Sequence, residues 1–240
     1  ALIFNHVGYI GWYVHHSGDN TVEARTWGIA NTDTPVVADY NGDGRDQIAV
    51  FRAGTWFIID EVGGVKVVFW GQAGDKPVPC DYDGDGTSDI AVWRPIDTTT
   101  GVHGNWYIIN SGFQSQVSAF DVSVIPFGLN GDIPVAADWF GDGKCDLGVY
   151  RPSEGKWYLQ DIMSSGGFEA VAFGTAGNNF QLPLPGDYDG DGKLDITIFD
   201  PVNSSIWSHK FRSTSTTQSL QWGLPNDIVP LPVRQPISSN

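Results

Sequence analysis

Half of the chain's 28 acidic residues sit in four short loops of one design. The fullest copies are "DYDGDGTSD", Asp81 to Asp89, and "DYDGDGKLD", Asp187 to Asp195. Acids stand at loop positions 1, 3, 5 and 9, with Gly at 4 and 6 where the backbone must bend sharply. That spacing gathers Asp81, Asp83, Asp85 and Asp89 about one small volume, with the carbonyl of Thr87 at position 7 free to join them. The second copy repeats the set as Asp187, Asp189, Asp191, the Lys193 carbonyl and Asp195. Carboxylates this close repel one another unless a cation sits among them. Hard oxygen donors in a flexible, highly charged loop suit Ca²⁺, which takes six to eight oxygens. An EF-hand would need a Glu at position 12 and flanking helices. Position 12 here is Val92 or Ile198, inside a β-branched apolar run, so the design is a strand-loop-strand site.

Two further copies depart from the pattern and are expected to bind more weakly. "DYNGDGRDQ" keeps Asp39, Asn41, Asp43 and the Arg45 carbonyl but offers Gln47 at position 9, with Asp46 one residue early. "DWFGDGKCD" keeps Asp138, Asp142, the Lys144 carbonyl and Asp146, but Phe140 at position 3 supplies no oxygen. Four bound Ca²⁺ would move the formal charge from −15 to −7.

The loops must be held by a repeat. An aromatic residue followed by Gly recurs at Trp27-Gly28, Trp70-Gly71, Phe127-Gly128, Phe173-Gly174 and Trp222-Gly223. A second column holds Trp12, Trp56, Trp106, Trp157 and Trp207. Each unit reads as four short strands, for example "PVPCD", "DIAVWR", "NWYII" and "VSVIPFG", parted by Gly, Pro, Asp and Asn. Four strands per unit, repeated, is the pattern of propeller blades. The units run over about 35–71, 77–128, 134–174 and 182–223.

The start of the chain aligns with a second strand, and its end, "NDIVPLPVR", with a first strand. The reading is therefore an all-β, five-bladed β-propeller of four-stranded blades spanning 1–240 as one domain. Its closing blade combines 1–28 with 229–235 from the two termini. Arg234 aligns with the first ligand Asp of the missing fifth loop. Composition agrees: 30 Gly, 14 Pro and 13% aromatics with only four Glu point away from helices.

The charge of −15 argues against a nucleic-acid or anionic-membrane partner. No apolar run reaches the roughly 18 residues of a membrane span, and the opening "ALIF" is too short for a signal peptide. Cys80 and Cys145 allow at most one internal disulfide and by themselves make no thiolate zinc site.

The "FGTAG" and "WGQAG" turns, the "DxDGDGxxD" loops and the "AVWRP" and "GVYRP" strands resemble the FG-GAP (VCBS-type) repeats. Such repeats build integrin α-subunit propellers, certain calcium-dependent fungal lectins and many secreted bacterial proteins. The resemblance implies an extracellular or cell-surface propeller whose calcium loops join the first and second strands of a blade.

No catalytic constellation competes with this reading. The Asp clusters are accounted for as metal loops, and Glu23, Glu61, Glu154 and Glu169 share no repeat position. The five His show no metal-ligand spacing, and no nucleophile, phosphate-cradling or cofactor motif is present. The expected function is a secreted, non-catalytic interaction, adhesion or structural module, such as a subunit of a cell-surface appendage, working through a protein partner or self-assembly. A calcium-dependent lectin binding glycans is the alternative, and a polysaccharide lyase the remaining catalytic one. All ten Trp fall in repeat columns, which favours packing over a sugar platform. Arg94-Pro95 and Arg151-Pro152 either line a binding rim or pair with a local Asp or the backbone. The insertions Pro95 to Asn105 and His209 to Ser219 map to surface loops that can carry partner contacts.

Overall fold

A computed structural model describes residues 2–6, 8–15, 20–60, 62–96, 103–111, 122–163, 167–202 and 205–222. Among them there are nineteen β-strands and no α-helix, so the all-β expectation holds. The strands form five antiparallel sheets in chain order, the blades of a β-propeller. The first sheet has three strands, β1 (Leu2–His6), β2 (Tyr9–His15) and β3 (Val22–Ile29). The expected fourth strand of that sheet, 229–235, and Arg234 with it, lie outside the described residues.

Four complete four-stranded blades follow. The second holds β4 (Thr34–Ala38), β5 (Gln47–Arg52), β6 (Thr55–Ile59) and β7 (Val65–Phe69). The third holds β8 (Lys76–Pro77), β9 (Ile90–Arg94), β10 (Asn105–Ile109) and β11 (Val122–Pro126). The fourth holds β12 (Ile133–Pro134), β13 (Leu147–Arg151), β14 (Lys156–Gln160) and β15 (Glu169–Ala172). The fifth holds β16 (Leu182–Pro183), β17 (Ile196–Asp200), β18 (Ile206–Lys210) and β19 (Thr217–Gln221). Among the described residues no helix is long and apolar enough to cross a membrane.

The core lies between blades. Strand β9 is buried along Ile90 to Trp93 because its alternate side chains serve two neighbours. Ile90 and Val92 pack with Phe51, Trp56 and Ile58 of the second blade. Ala91 and Trp93 pack with Leu147 and Val149 of the fourth. Ile196 and Ile198 close on Trp157 and Leu159 in the same way. Both faces of a second strand are therefore apolar, as in any sheet covered on two sides.

The two aromatic columns meet in every blade. The indole N–H of Trp12 donates to the carbonyl of Trp27 at 2.9 Å, and Trp56 to Trp70 at 2.9 Å. Trp106 donates to Phe127 at 3.1 Å, Trp157 to Phe173 at 3.0 Å and Trp207 to Trp222 at 3.2 Å. A buried indole N–H needs such an acceptor, and an aromatic residue near the end of the outer strand supplies it, within β3 in the first blade and one residue past the strand in the other four. At Gly28, Gly71, Gly128 and Gly174, the described glycines after that carbonyl, a side chain would be strained. Gly71 has φ +102° and Gly28 φ +89°, and a Cβ on Gly28 would meet Val50 Cγ1 at 2.8 Å.

Consecutive blades are fastened by an ion pair spanning nineteen residues. Asp75 accepts from Gln72 N–H at 2.9 Å, capping the turn that ends the second blade. Its two oxygens also take Arg94 Nε at 2.8 Å and Nη2 at 2.9 Å, while that guanidinium lies over the Tyr107 ring, 4.4 Å from its centroid. Asp33–Arg52–Phe57 and Asp132–Arg151–Tyr158 repeat the arrangement. Burial pushes the Asp33 carboxyl up, but the hydrogen bonds from Arg52 and Ile29 N–H outweigh it and hold the group below its ordinary range. Arg94 and Arg151 thus pair with a local Asp, the second of their two readings. At the fifth blade both partners change: Gln181 takes the Thr175 N–H at 2.7 Å, and Asp200 accepts from Asn178 Nδ2 at 2.8 Å.

Candidate metal centres

Each acidic loop leaves a first strand and returns on a second, closed by a bridge between the residue before position 1 and position 9. The bridging pairs are Ala38 with Gln47, Cys80 with Asp89, Ala137 with Asp146 and Gly186 with Asp195. Inside the loop, the position 1 carboxylate organises the backbone. Asp81 Oδ1 accepts from Gly84 N at 2.7 Å and Asp85 N at 3.1 Å, and Oδ2 from Gly86 N at 2.9 Å. Asp39, Asp138 and Asp187 do the same for their own loops. Successive N–H groups can converge on one carboxylate only if Gly at positions 4 and 6 takes positive φ. Gly84 is at +81° and Gly86 at +90°.

In two loops the acids converge on one point. Asp81, Asp83 and Asp85 each offer an oxygen within 4.8 Å of the others, as do Asp187, Asp189 and Asp195. Oxygens that close can all touch one ion at the 2.3–2.6 Å of a Ca²⁺ contact, so the residues fit that ion. Asp89 and Asp191 lie outside these triplets. Asp89 is fully buried, with Oδ2 accepting from Tyr82 N at 2.8 Å and Oδ1 from Ser111 N at 2.6 Å. Burial pushes its carboxyl up to about 7, the charges of Asp83 and Asp81 push the same way, and the two N–H bonds oppose them. Asp83 and Asp195 are raised for the same reasons, burial first and neighbouring carboxylates after it. A cation among these groups would relieve that repulsion.

Two braces have no counterpart in the sequence reading. Ser111 Oγ donates to Asp85 Oδ2 at 2.8 Å, and Ser213 Oγ to Asp189 Oδ2 at 3.2 Å. Both come from the turn after the blade's third strand, but Ser111 lies five residues beyond its column Trp and Ser213 six. Without a shared register the sequence gives no signal for them.

The other two loops keep the scaffold without a triplet of converging acids. In the fourth blade, Phe140 stands at position 3 and Arg212 lies over its ring, 5.7 Å from the centroid. Arg212 also donates to the Trp139 carbonyl and to Glu169, at 2.9 Å for the latter. Asp146 is buried at position 9 and accepts from the N–H groups of Trp139 and Ile162. Burial pushes it up to about 7, with repulsion from Asp142 adding to the rise. In the second blade, Gln47 Oε1 accepts from Tyr40 N at 2.7 Å, and Gln47 Nε2 turns into the loop.

Neighbouring loops are joined. Ser88 N, at position 8, donates to the Asp39 carbonyl at 2.7 Å, and Cys145 N, also at position 8, to the Asp81 carbonyl at 2.7 Å. Beside the second of these bonds, Cys80 and Cys145 form a disulfide with Cα atoms 5.9 Å apart. The third and fourth blades are thereby cross-linked at the feet of their acidic loops.

The span from one such loop to the next resembles a known repeat family. Residues 138–198 match the FG-GAP-like repeat. The FG-GAP-like stretch opens on Asp138, runs through β13, β14 and β15, and ends in β17 beyond the Asp187–Asp195 loop. No match was found among curated proteins. Among solved structures, a protein of unknown function from Bacteroides caccae is similar at 11% identity with a TM-score of 0.50. The likeness covers 94% of this chain and 72% of that one, and at this identity it concerns the fold alone.

Proposed function

We propose that this chain is a calcium-stabilised FG-GAP-type propeller that works outside the cell as a non-catalytic interaction module, either an adhesive surface or a subunit docked on a larger assembly. The repeat propeller itself supports protein interaction. The observation that carries the calcium reading is the convergence of three carboxylates in the equivalent loops of two blades, from positions 1, 3 and 5 in one and 1, 3 and 9 in the other. Ions at Asp81–Asp89 and Asp187–Asp195 would each offset two negative charges and stabilise the fold by mass action. The Cys80–Cys145 disulfide supports an oxidising compartment.

Two measurements test the reading. Thermal melting in Ca²⁺ against EGTA should separate the curves, with the chelated protein melting lower; coincident curves would remove the ion from the account. Sizing of native material should reveal a stable partner or regular self-assembly. A strict monomer would count against the module reading, and calcium-dependent hits on a glycan array would turn it toward a lectin.

A further inference from the structure

Loop 39–47 looks in sequence like a diluted copy of its siblings, with Asn41 for Asp at position 3 and Gln47 for Asp at position 9. The geometry gives these two changes a joint meaning. In the siblings, both oxygens of the position 9 carboxylate accept backbone N–H groups, as Asp89 does from Tyr82 and Ser111. Gln47 has one oxygen, and Tyr40 N–H engages it. Its remaining terminal atom is a nitrogen with two hydrogens. Nε2 donates to Asn41 Oδ1 at 3.0 Å and to the Arg45 carbonyl at 2.7 Å.

Those two acceptors are the position 3 side chain and the position 7 carbonyl, counterparts of Asp83 and the Thr87 carbonyl that would hold an ion in the third blade. The orientation of the amide is fixed, because a flip would set NH₂ against the Tyr40 N–H and an oxygen against two acceptors. Gln47 is 8% exposed, so its N–H groups gain nothing from leaving these partners for water. The four acidic positions of the full loops are here reduced to Asp39 and Asp43.

We propose that loop 39–47 is a metal-independent copy, in which the partly positive amide of Gln47 ties together the oxygens that a cation gathers in its siblings. This rests on the calcium reading of the other loops. It sets aside the weak site expected at Asp39, Asn41, Asp43, Arg45 and Gln47 and gives one blade a loop that stays closed when calcium is removed.

The test counts bound calcium by equilibrium dialysis in the full chain and in the variant Asn41→Asp with Gln47→Asp, and follows the Gln47 side-chain amide by NMR. The variant should bind one more ion per chain than the parent. In the parent, the Gln47 amide signals should stay protected from exchange and unmoved as Ca²⁺ is added. An equal count in the two proteins, or an amide that shifts and loses protection with Ca²⁺, would overturn the proposal and leave the other loops' calcium intact. Should the variant not fold, the amide signals of the parent decide alone. A count of zero in both proteins would instead remove the calcium reading, and the proposal with it.

Discussion

At Asp89 a carboxylate is fully buried, bonded to two backbone N–H groups and faced by Asp83 and Asp81. Its folded pKa of about 7 lies above the roughly 3.9 of an unfolded Asp. In the ion-free protein its contribution therefore favours folding at low pH and is lost as pH rises from about 4 through 7. A bound cation demands the ionised form and reverses that trend. The melting-temperature gap between Ca²⁺ and EGTA should accordingly widen from pH 5 to pH 8, which scanning calorimetry at the two pH values would show. The Asp75–Arg94 pair gives a second prediction. Replacing Arg94 with Ala strands a buried carboxylate and should cost about 3 kcal/mol, read from urea unfolding. Arg94→Lys should recover only part of this, since an ammonium cannot fork across both oxygens.

At the scale of elements, the acidic loops are hung between first and second strands and then tied to one another. The Cys80–Cys145 bond spans 65 residues of sequence, for which chain entropy suggests a contribution of about 4 kcal/mol. The double Ser variant should lose stability of that order in chemical denaturation. It should also bind Ca²⁺ less tightly at Asp81–Asp89, because Cys80 immediately precedes the first ligand and Cys145 N–H holds the carbonyl of Asp81. Calorimetric titration would register the change. Much of this level was legible in the sequence: the aromatic-Gly and Trp columns marked the strand ends, and the hydrogen bond between them gives the physical reason for both. The blade-to-blade ion pair was legible in principle, since Asp33 to Arg52, Asp75 to Arg94 and Asp132 to Arg151 share one spacing. The direction of the Gln47 amide was not, because a backbone N–H across the loop decides it. Cys80 and Cys145 were the one disulfide the sequence allowed, but whether it forms depends on two loops lying side by side, which the sequence left open.

For the whole molecule, charge is the governing quantity. A formal charge of −15 is concentrated in a few nests rather than spread evenly, so salt alone should relieve little of the repulsion inside them. Raising sodium chloride in EGTA should restore less thermal stability than a small excess of Ca²⁺ in low salt. Equal recovery by the two would mean that general screening, and no bound ion, is at work.

The ion pair that starts in one turn and ends in the next blade also bears on how such a chain can change length. Because Asp75 closes the turn behind it and grips the strand ahead, a cut placed between blades would separate a cap from its turn. Insertion or loss of one whole period among the second, third and fourth blades, by contrast, leaves each of their junctions furnished with both halves. Recombination among those three repeats can therefore keep the pair matched at each seam, whereas a partial copy would carry an uncapped turn at its border.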